Sequence, residues 1–276
     1  MTMTDTGVRW VPVPPRRRRP RTLAVGGAVL AALLIVHVIA WRTTEMSFAT
    51  LLDGADGMAD FLSEAIPPDL SADVLLPSLE GALVTLWIGL LGTTLSIPFA
   101  LLLALAAARG TAPGPVVYQA ARGLLSFLRA VPDVVFALIF VTAVGLGPFP
   151  GVLALVFHNV GVMGKLWAET IEDADPGPPT ALRSAGAGRL QVAAHALLPS
   201  LTPQLTGLLL YRFDVNVRSS LVLGLVGAGG IGFLINQSIQ LFRFDEMLTH
   251  ILVVLVLIVA VDRLSALVRR HLGSAA

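Results

Sequence analysis

Residues 81–108 read GALVTLWIGLLGTTLSIPFALLLALAAA, 28 positions without a charged side chain, and the run stops at Arg109. About 20 mainly apolar residues suffice for a helix to cross a bilayer. The rest of the chain shares this character. Of 276 residues, 55% are hydrophobic and 13% charged, with a mean hydropathy of +0.80. That is too little charge to coat a soluble globule of this size, so a water-soluble domain is excluded. Six spans would use about 120 to 150 residues and leave the remainder for loops.

Charge placement orients the spans. Arg9, Arg16, Arg17, Arg18, Arg19 and Arg21 crowd the N-terminus, whereas residues 43–80 hold eight acids (Glu45, Asp53, Asp56, Asp60, Glu64, Asp69, Asp73 and Glu80) and no Lys or Arg. Cytoplasmic segments carry the excess of Lys and Arg. Residues 1–21 therefore read as a basic cytoplasmic tail and residues 42–80 as an acidic extracytoplasmic loop. A basic run can also signal nucleic-acid binding. This one ends against residues 22–41, an uncharged stretch that reads as an uncleaved first transmembrane anchor, so no nucleic-acid partner is expected.

Residues 134–164 are again uncharged but are interrupted by Gly145, Gly147, Pro148 and Pro150. That turn chemistry splits them into spans three and four. Lys165, Arg183 and Arg189 return the next stretch to the cytoplasm as its longest loop. Residues 190–211, 219–242 and 247–261 are the remaining runs, and a basic end follows at Arg263, Arg269 and Arg270. Counting every run as a span gives seven and puts that end outside. One span over about residues 201–226, followed by a glycine-rich return, gives six and places both termini in the cytoplasm, as the positive-inside rule selects. The expectation is an all-α membrane protein of six transmembrane helices: the anchor, a core of five further spans over residues 81–270, and a short tail at 271–276.

The fifth span then carries Arg212, Asp214, Asn216 and Arg218 inside a membrane helix, where an unpaired charge costs about 2.5–3.5 kcal/mol on insertion scales. Helical spacing puts Asp214 and Arg218 on one face with Tyr211, and Arg212, Asn216 and Ser219 on the opposite face. The pattern predicts an internal ion pair between Asp214 and Arg218. It leaves two roles for Arg212, Asn216 and Ser219: an aqueous path for an anionic solute, or polar glue between helices.

Gly227, Ala228, Gly229, Gly230, Ile231 and Gly232 satisfy the spacing G-x-G-x-x-G. That motif holds a dinucleotide only between the strand and helix of a βαβ unit, which nothing in this chain supplies. In a membrane protein such glycines permit irregular backbone and close helix approach. Gly227, Gly229, Gly230 and Gly232 are thus read as a bend or gate after span five. Gly161, Gly164 and Lys165 lack P-loop spacing, and Leu166 stands where Ser or Thr belongs. There is no cysteine, and the five histidines (His37, His158, His195, His250 and His271) are scattered. Neither a metal site, a cofactor nor a catalytic constellation is expected.

The long cytoplasmic loop, about residues 170–199, has more pattern than a linker. Asp175, Pro176, Gly177, Pro178 and Pro179 break the fourth helix, and proline suits a new start across residues 180–185. Gly186, Ala187 and Gly188 supply a turn, and residues 190–198 lead to Pro199. The reading is two short helices and a turn, a compact surface for a partner.

Thr180-Ala181-Leu182, Gly186 and Leu198-Pro199 resemble the EAA loop of binding-protein-dependent ABC importer permeases, with Thr180 in place of the usual glutamate and Ala196 in place of the usual branched aliphatic residue. A wider collinear set is similar to permeases of the phosphonate importer family. It runs from Pro67-Pro68-Asp69 through Ala106 to Arg109, Arg129 with Pro132, Gly145-Leu146-Gly147-Pro148, and Gly164-Lys165-Leu166 with Glu169. It continues in Tyr211-Arg212-Phe213 with Asn216 and Arg218, and in the residues from Val222 to Gly232.

This resemblance implies a type I ABC importer permease fold like that of methionine importers. It implies that Thr180, Ala181, Leu182, Gly186, Leu198 and Pro199 belong to a coupling element seated in a groove of an ATPase. It further implies a permease homodimer in membrane lipid, two ABC ATPase subunits that hydrolyse ATP, an extracytoplasmic substrate-binding protein, and phosphonate or a related phosphorus oxyanion as cargo. The chain itself is then a transport subunit and not an enzyme. On the residues alone two alternatives stay open: an importer of another small solute (phosphate, phosphite or an amino-acid-like cargo), and an ion-coupled transporter or channel that works without an ATPase.

Overall fold

The computed structural model describes residues 20–273. Arg9 and the four arginines at 16–19, together with residues 274–276, lie outside the described residues. Every regular element among the described residues is helical.

Two compact units meet between Ala59 and Asp60. In the first, α1 (Pro20–Thr43) takes in the stretch read as the anchor. Over Ala24–Thr43 its mean hydropathy of 2.3 and its 20 residues suit a membrane crossing. Ser47 caps α2 (Phe48–Asp53), its Oγ accepting from the Thr50 amide at 3.3 Å. The acidic α3 (Ala55–Ala65) spans the boundary.

The second unit is organised on α4 (Ala72–Ala107), whose 36 residues extend about 54 Å. It starts before residue 81 and takes in Asp73 in its first turn and Glu80, which bounded the uncharged run. Its buried stripe is made of small residues, among them Gly89, Gly92, Thr93, Ser96, Ala100 and Ala104. The 25-residue α7 (Pro148–Glu172) lies along that stripe. A Cβ on Gly92 would come 2.5 Å from the Cβ of Leu155. Lipid offers little hydrophobic drive between helices, so close packing of small residues supplies the attraction. The two helices run parallel: Ser96 is level with Asn159, and Arg109 at the end of α4 is level with Glu172.

Between them the chain departs from expectation. α5 (Pro115–Ala130) and α6 (Asp133–Val144) meet at a bend of 84°. Val131 is extended there, at φ −82° and ψ 120°, as a residue before proline prefers. The 12 residues of α6 reach only about 18 Å, short of the roughly 30 Å hydrocarbon core. Span three therefore does not begin at residue 134; the candidate is the broken pair. Among the described residues, four helices are long and apolar enough to cross a membrane, α1, α4, α7 and α12 (Phe244–Gly273), or five if the bent pair counts as one. The 28-residue α10 (Leu198–Leu225) carries Arg212, Asp214 and Arg218 and is not among them.

The loop before α10 also differs. α8 (Gly177–Ser184) is a separate short helix. α9 (Arg189–Val192), however, passes through a π turn at Ala193–Leu197 straight into α10, without a break at Pro199. Proline lacks the amide that would bond the carbonyl four residues back, and its ring collides with that carbonyl. Here the preceding turn is widened, with Leu198 N donating to the Ala193 carbonyl. The glycine-rich return leads into α11 (Ile231–Gln240), a 10-residue helix, before α12.

Candidate functional site

The element expected to meet a partner is built at the end of the bundle where α4 and α7 finish. Pro178 and Pro179 occupy the first turn of α8, where their missing amides cost nothing. Thr180 donates its hydroxyl to the Pro176 carbonyl at 2.6 Å, so the residue in the glutamate position bonds to its own helix. Thr180, Ala181 and Gly186 are exposed, and Leu182 is half-buried. Gly186 ends the helix at φ +87° with no atom within 4 Å of a Cβ placed on it. Ala187 N donates to the Leu182 carbonyl at 3.0 Å. Of the two remaining residues of the expected element, Leu198 is half-buried and Pro199 exposed.

Two arginines read from the sequence only as topology signals tie this element to the loop after α4. Arg183 Nη2 donates to the Gly110 carbonyl at 3.1 Å, and Arg189 Nη1 donates to the carbonyls of Ala112 at 2.9 Å and Pro113 at 2.8 Å. Glu172, at the end of α7, accepts from the Arg109 amide at 2.9 Å and pairs with Arg122 Nη2 at 2.7 Å. Arg122 also donates from Nε to the Ala107 carbonyl at 3.1 Å and stacks 4.9 Å over Tyr118. Arg109 Nε donates to the Tyr118 hydroxyl, a contact that, with the nearby Glu172 charge, raises the arginine's pKa. The α4–α5 loop, α7 and α8 are thereby braced on one another.

The polar residues of α10 fall into two groups. Arg212 Nε donates to Asn159 Oδ1 at 2.9 Å and Nη2 to Asn216 Oδ1 at 3.3 Å. Asn159 Nδ2 donates in turn to Ser96 Oγ at 2.6 Å, and Asn216 Nδ2 to Thr93 Oγ1 at 2.8 Å. Arg212 and Asn216 do share a face, but that face is closed inside the α4, α7 and α10 packing, with Arg212 only 8% exposed and Asn216 fully buried. It meets protein in this conformation and not an aqueous path. Ser219 stands half-buried outside the set. Its neighbour Ser220 reaches α4 instead, donating to the Thr85 carbonyl at 2.9 Å; no spacing rule separated these two serines.

On the other face Arg218 Nη2 donates to Asp214 Oδ2 at 2.8 Å and also to Asp262 Oδ1 of α12 at 2.5 Å. The Asp214 side chain is 10% exposed, but those of Arg218 and Asp262 are 47% and 44% exposed. The expected pair is present in a three-membered cluster that opens to the surface of the chain, so it is not internal. Asp262, 44 positions away, was not among the residues singled out by sequence.

The glycine segment after α10 is a tight connection against α4 and the start of α7. Gly227, Gly229 and Gly230 adopt positive φ of 92°, 76° and 73°. The Gly227 carbonyl accepts from Gly147 N at 3.0 Å, and Thr85 Oγ1 accepts from Ile231 N at 2.9 Å. A Cβ on Gly232 would collide with the Leu221 carbonyl oxygen.

Comparison with known proteins accords with this architecture. Residues 96–274 match the family described as binding-protein-dependent transport system inner membrane component. The phosphite transport system permease protein PtxC of Stutzerimonas stutzeri is 41% identical over 247 residues, covering 89% of this chain and 88% of that one. The phosphate-import permease protein PhnE of Mycolicibacterium smegmatis is 40% identical over 235 residues, 85% of this chain and 44% of its own length. Among solved structures, the inward-facing MetNI methionine ABC transporter shares the fold at a TM-score of 0.61 and 20% identity, over 74% of this chain and 99% of that one. The chain belongs to the binding-protein-dependent transport system inner membrane components and is a multi-pass permease subunit of an ABC importer.

Proposed function

We propose that this permease carries phosphorus oxyanions, the class of phosphite, phosphate and phosphonate, into the cytoplasm, driven by ATP that partner subunits hydrolyse. The observation that carries this reading is the 41% identity to a phosphite permease across nearly the full length of both chains. Two copies of the chain form the pore, each offering α8 and Gly186 to an ATPase groove, and an extracytoplasmic binding protein delivers the anion. Thr180, Ala181, Leu182, Gly186, Leu198 and Pro199 form the coupling element; its exposed surface and its bracing by Arg183 and Arg189 suit it to receive a mechanical stroke. Gly227, Gly229, Gly230 and Gly232 form the bend at the outer end of α10.

The chain crosses the membrane six times, through α1, α4, the broken pair α5 and α6, α7, α10 and α12. The parallel course of α4 and α7 supports a crossing by the bent pair, because the chain between them has to regain the opposite end of the bundle. Both termini then lie in the cytoplasm, residues 1–21 as the basic tail, and residues 42–80 face outward, in keeping with their charges.

The cargo is tested by competition. Uptake of labelled phosphate by membrane vesicles holding the complete transporter is measured against excess phosphite, methylphosphonate and methionine. The expected result is suppression by the two phosphorus oxyanions and none by methionine. Suppression by methionine alone assigns an amino-acid-like cargo and contradicts the reading.

A further inference from the structure

Ser78 of α4 donates its single hydroxyl proton to the Val74 carbonyl at 2.5 Å, so its oxygen accepts from His250 Nδ1 of α12 at 2.7 Å. That bond puts the proton of the neutral ring on Nδ1 and a lone pair on Nε2. His250 is 5% exposed and Ser238 of α11 3%, yet neither His250 Nε2 nor the Ser238 hydroxyl has a hydrogen-bond partner among the described residues. Buried polar groups are normally bonded, so two left open at one place point to a ligand. Both residues line a cavity of about 290 Å³ between the start of α4, the end of α11 and the start of α12, together with Asp73, Gln237, Arg243 and Glu246.

The charge of the wall selects what enters. Arg243 Nη1 is held by Glu246 Oε1 at 3.1 Å. Asp73 is left unbalanced, exposed and without a hydrogen bond or ion pair among the described residues. The wall is therefore net negative, and its open acceptors are the Asp73 carboxylate, the second Glu246 oxygen and His250 Nε2. Such a set suits a cationic donor and repels a phosphorus oxyanion. The surroundings have the same sign. The Asp69 amide donates to the Asp245 carbonyl at 3.4 Å and Thr249 donates to the Asp69 carbonyl at 2.7 Å, which brings two more acids to this end of the bundle. Arg243 is the only Lys or Arg within residues 60–108 and 219–262.

We propose that this cavity is the socket for a lysine or arginine side chain on the docking face of the extracytoplasmic binding protein. The assignment rests on the importer reading and on the outward placement of residues 42–80. The cavity equals the volume of about ten waters, room for one long basic side chain. Val74 and Leu234 give its apolar stem a wall, and the acceptors take its head. The acidic surroundings steer a basic face toward the socket and fix its register.

The test measures binding of the binding protein, with and without phosphite, to the complex of permease and ATPase in nanodiscs at low and high salt. Parental binding is expected to weaken as salt rises. Asp73→Asn, at an exposed position with no bond to lose in the fold, is expected to weaken it about tenfold at low salt, the scale of one charge-assisted contact. Ser238→Leu, which fills the socket and changes no charge, is expected to weaken it as well. Glu64→Gln, an acid outside the cavity, is expected to change it less than about twofold. The proposal is overturned if either Asp73→Asn or Ser238→Leu binds as the parent does. It is equally overturned if Glu64→Gln loses as much as Asp73→Asn, which is diffuse attraction without a socket. Separation of the two permease copies in the variants also overturns it, because the cavity is then an interface between them. A parental complex that binds the protein but imports neither phosphite nor phosphate overturns the cargo reading alone. One that binds no such protein at either salt overturns the importer reading together with the socket.

Discussion

Arg183 in α8 donates to the carbonyl of Gly110, 73 positions earlier in the chain, at 3.1 Å. With Arg189 on Ala112 and Pro113 it fixes the proposed coupling element to the loop that joins α4 and α5. Displacing α8 would thus pull on a segment continuous with two helices of the bundle. The double variant Arg183→Ala, Arg189→Ala is expected to remain folded, since these bonds lie at exposed or half-buried positions where water satisfies the freed carbonyls. Its ratio of solute moved to ATP hydrolysed is expected to fall several-fold, measured in proteoliposomes.

Gly186 separates conformational strain from bulk. Its φ of +87° disfavours any side chain, although the space around it is empty. Gly186→Ala is expected to cost about 1–2 kcal/mol, the left-handed penalty for one residue. Gly186→Val costs more, because a β-branched residue is a true outlier there. Copurification of the ATPase with the permease is expected to be reduced by the alanine variant and lost in the valine variant.

Arg212 and Asn159 make a paired deletion informative. Asn159→Leu removes the acceptor of Arg212 Nε and leaves a buried cation short of partners. The expected loss is about 3 kcal/mol, at the low end for breaking a buried charge contact. Adding Arg212→Met to that variant is expected to restore part of the stability, since replacing both partners by apolar groups removes the unsatisfied cation. Thermal unfolding of the purified permease in detergent reads both.

Gly232 tests the close approach of the α10 and α11 backbones. Its added Cβ would collide with the Leu221 carbonyl oxygen and stand 3.0 Å from the Gly224 Cα, both backbone atoms that cannot swing aside. Gly232→Ala is expected to lower the amount of folded permease in the membrane, by an overpacking cost of about 1–3 kcal/mol or more. Gly26→Ala, where nothing lies within 4 Å, is expected to leave it unchanged.

The parts of this fold legible in sequence were those written as unbroken apolar length. The stretch at 22–41 lies within α1, and that at 81–108 lies within α4 except for its last residue, because nothing in them competes with a membrane helix. The α5 and α6 pair was obscured because Arg122 and Arg129 interrupt its hydropathy and Pro132 turns it through 84°. Periodicity placed Arg212 with Asn216, and Asp214 with Arg218, since partners four residues apart share a helix face. It carried no information about Asn159 or Asp262, which arrive from other helices. It also could not tell which face packs inward, and so an aqueous path and polar glue both stayed open for Arg212 and Asn216, while the Asp214 and Arg218 pair was expected inside. The π turn before Pro199 has no sequence signature beyond the proline itself.

The central claim is that this chain moves phosphorus oxyanions only when an ATPase drives it. Accumulation of labelled phosphite is measured in proteoliposomes that hold the permease with its ATPase subunit, binding protein and ATP, and in matched vesicles without the ATPase subunit. Uptake confined to the complete, ATP-supplied vesicles is the expected result. Uptake of equal rate by the permease alone, independent of ATP, would contradict the account.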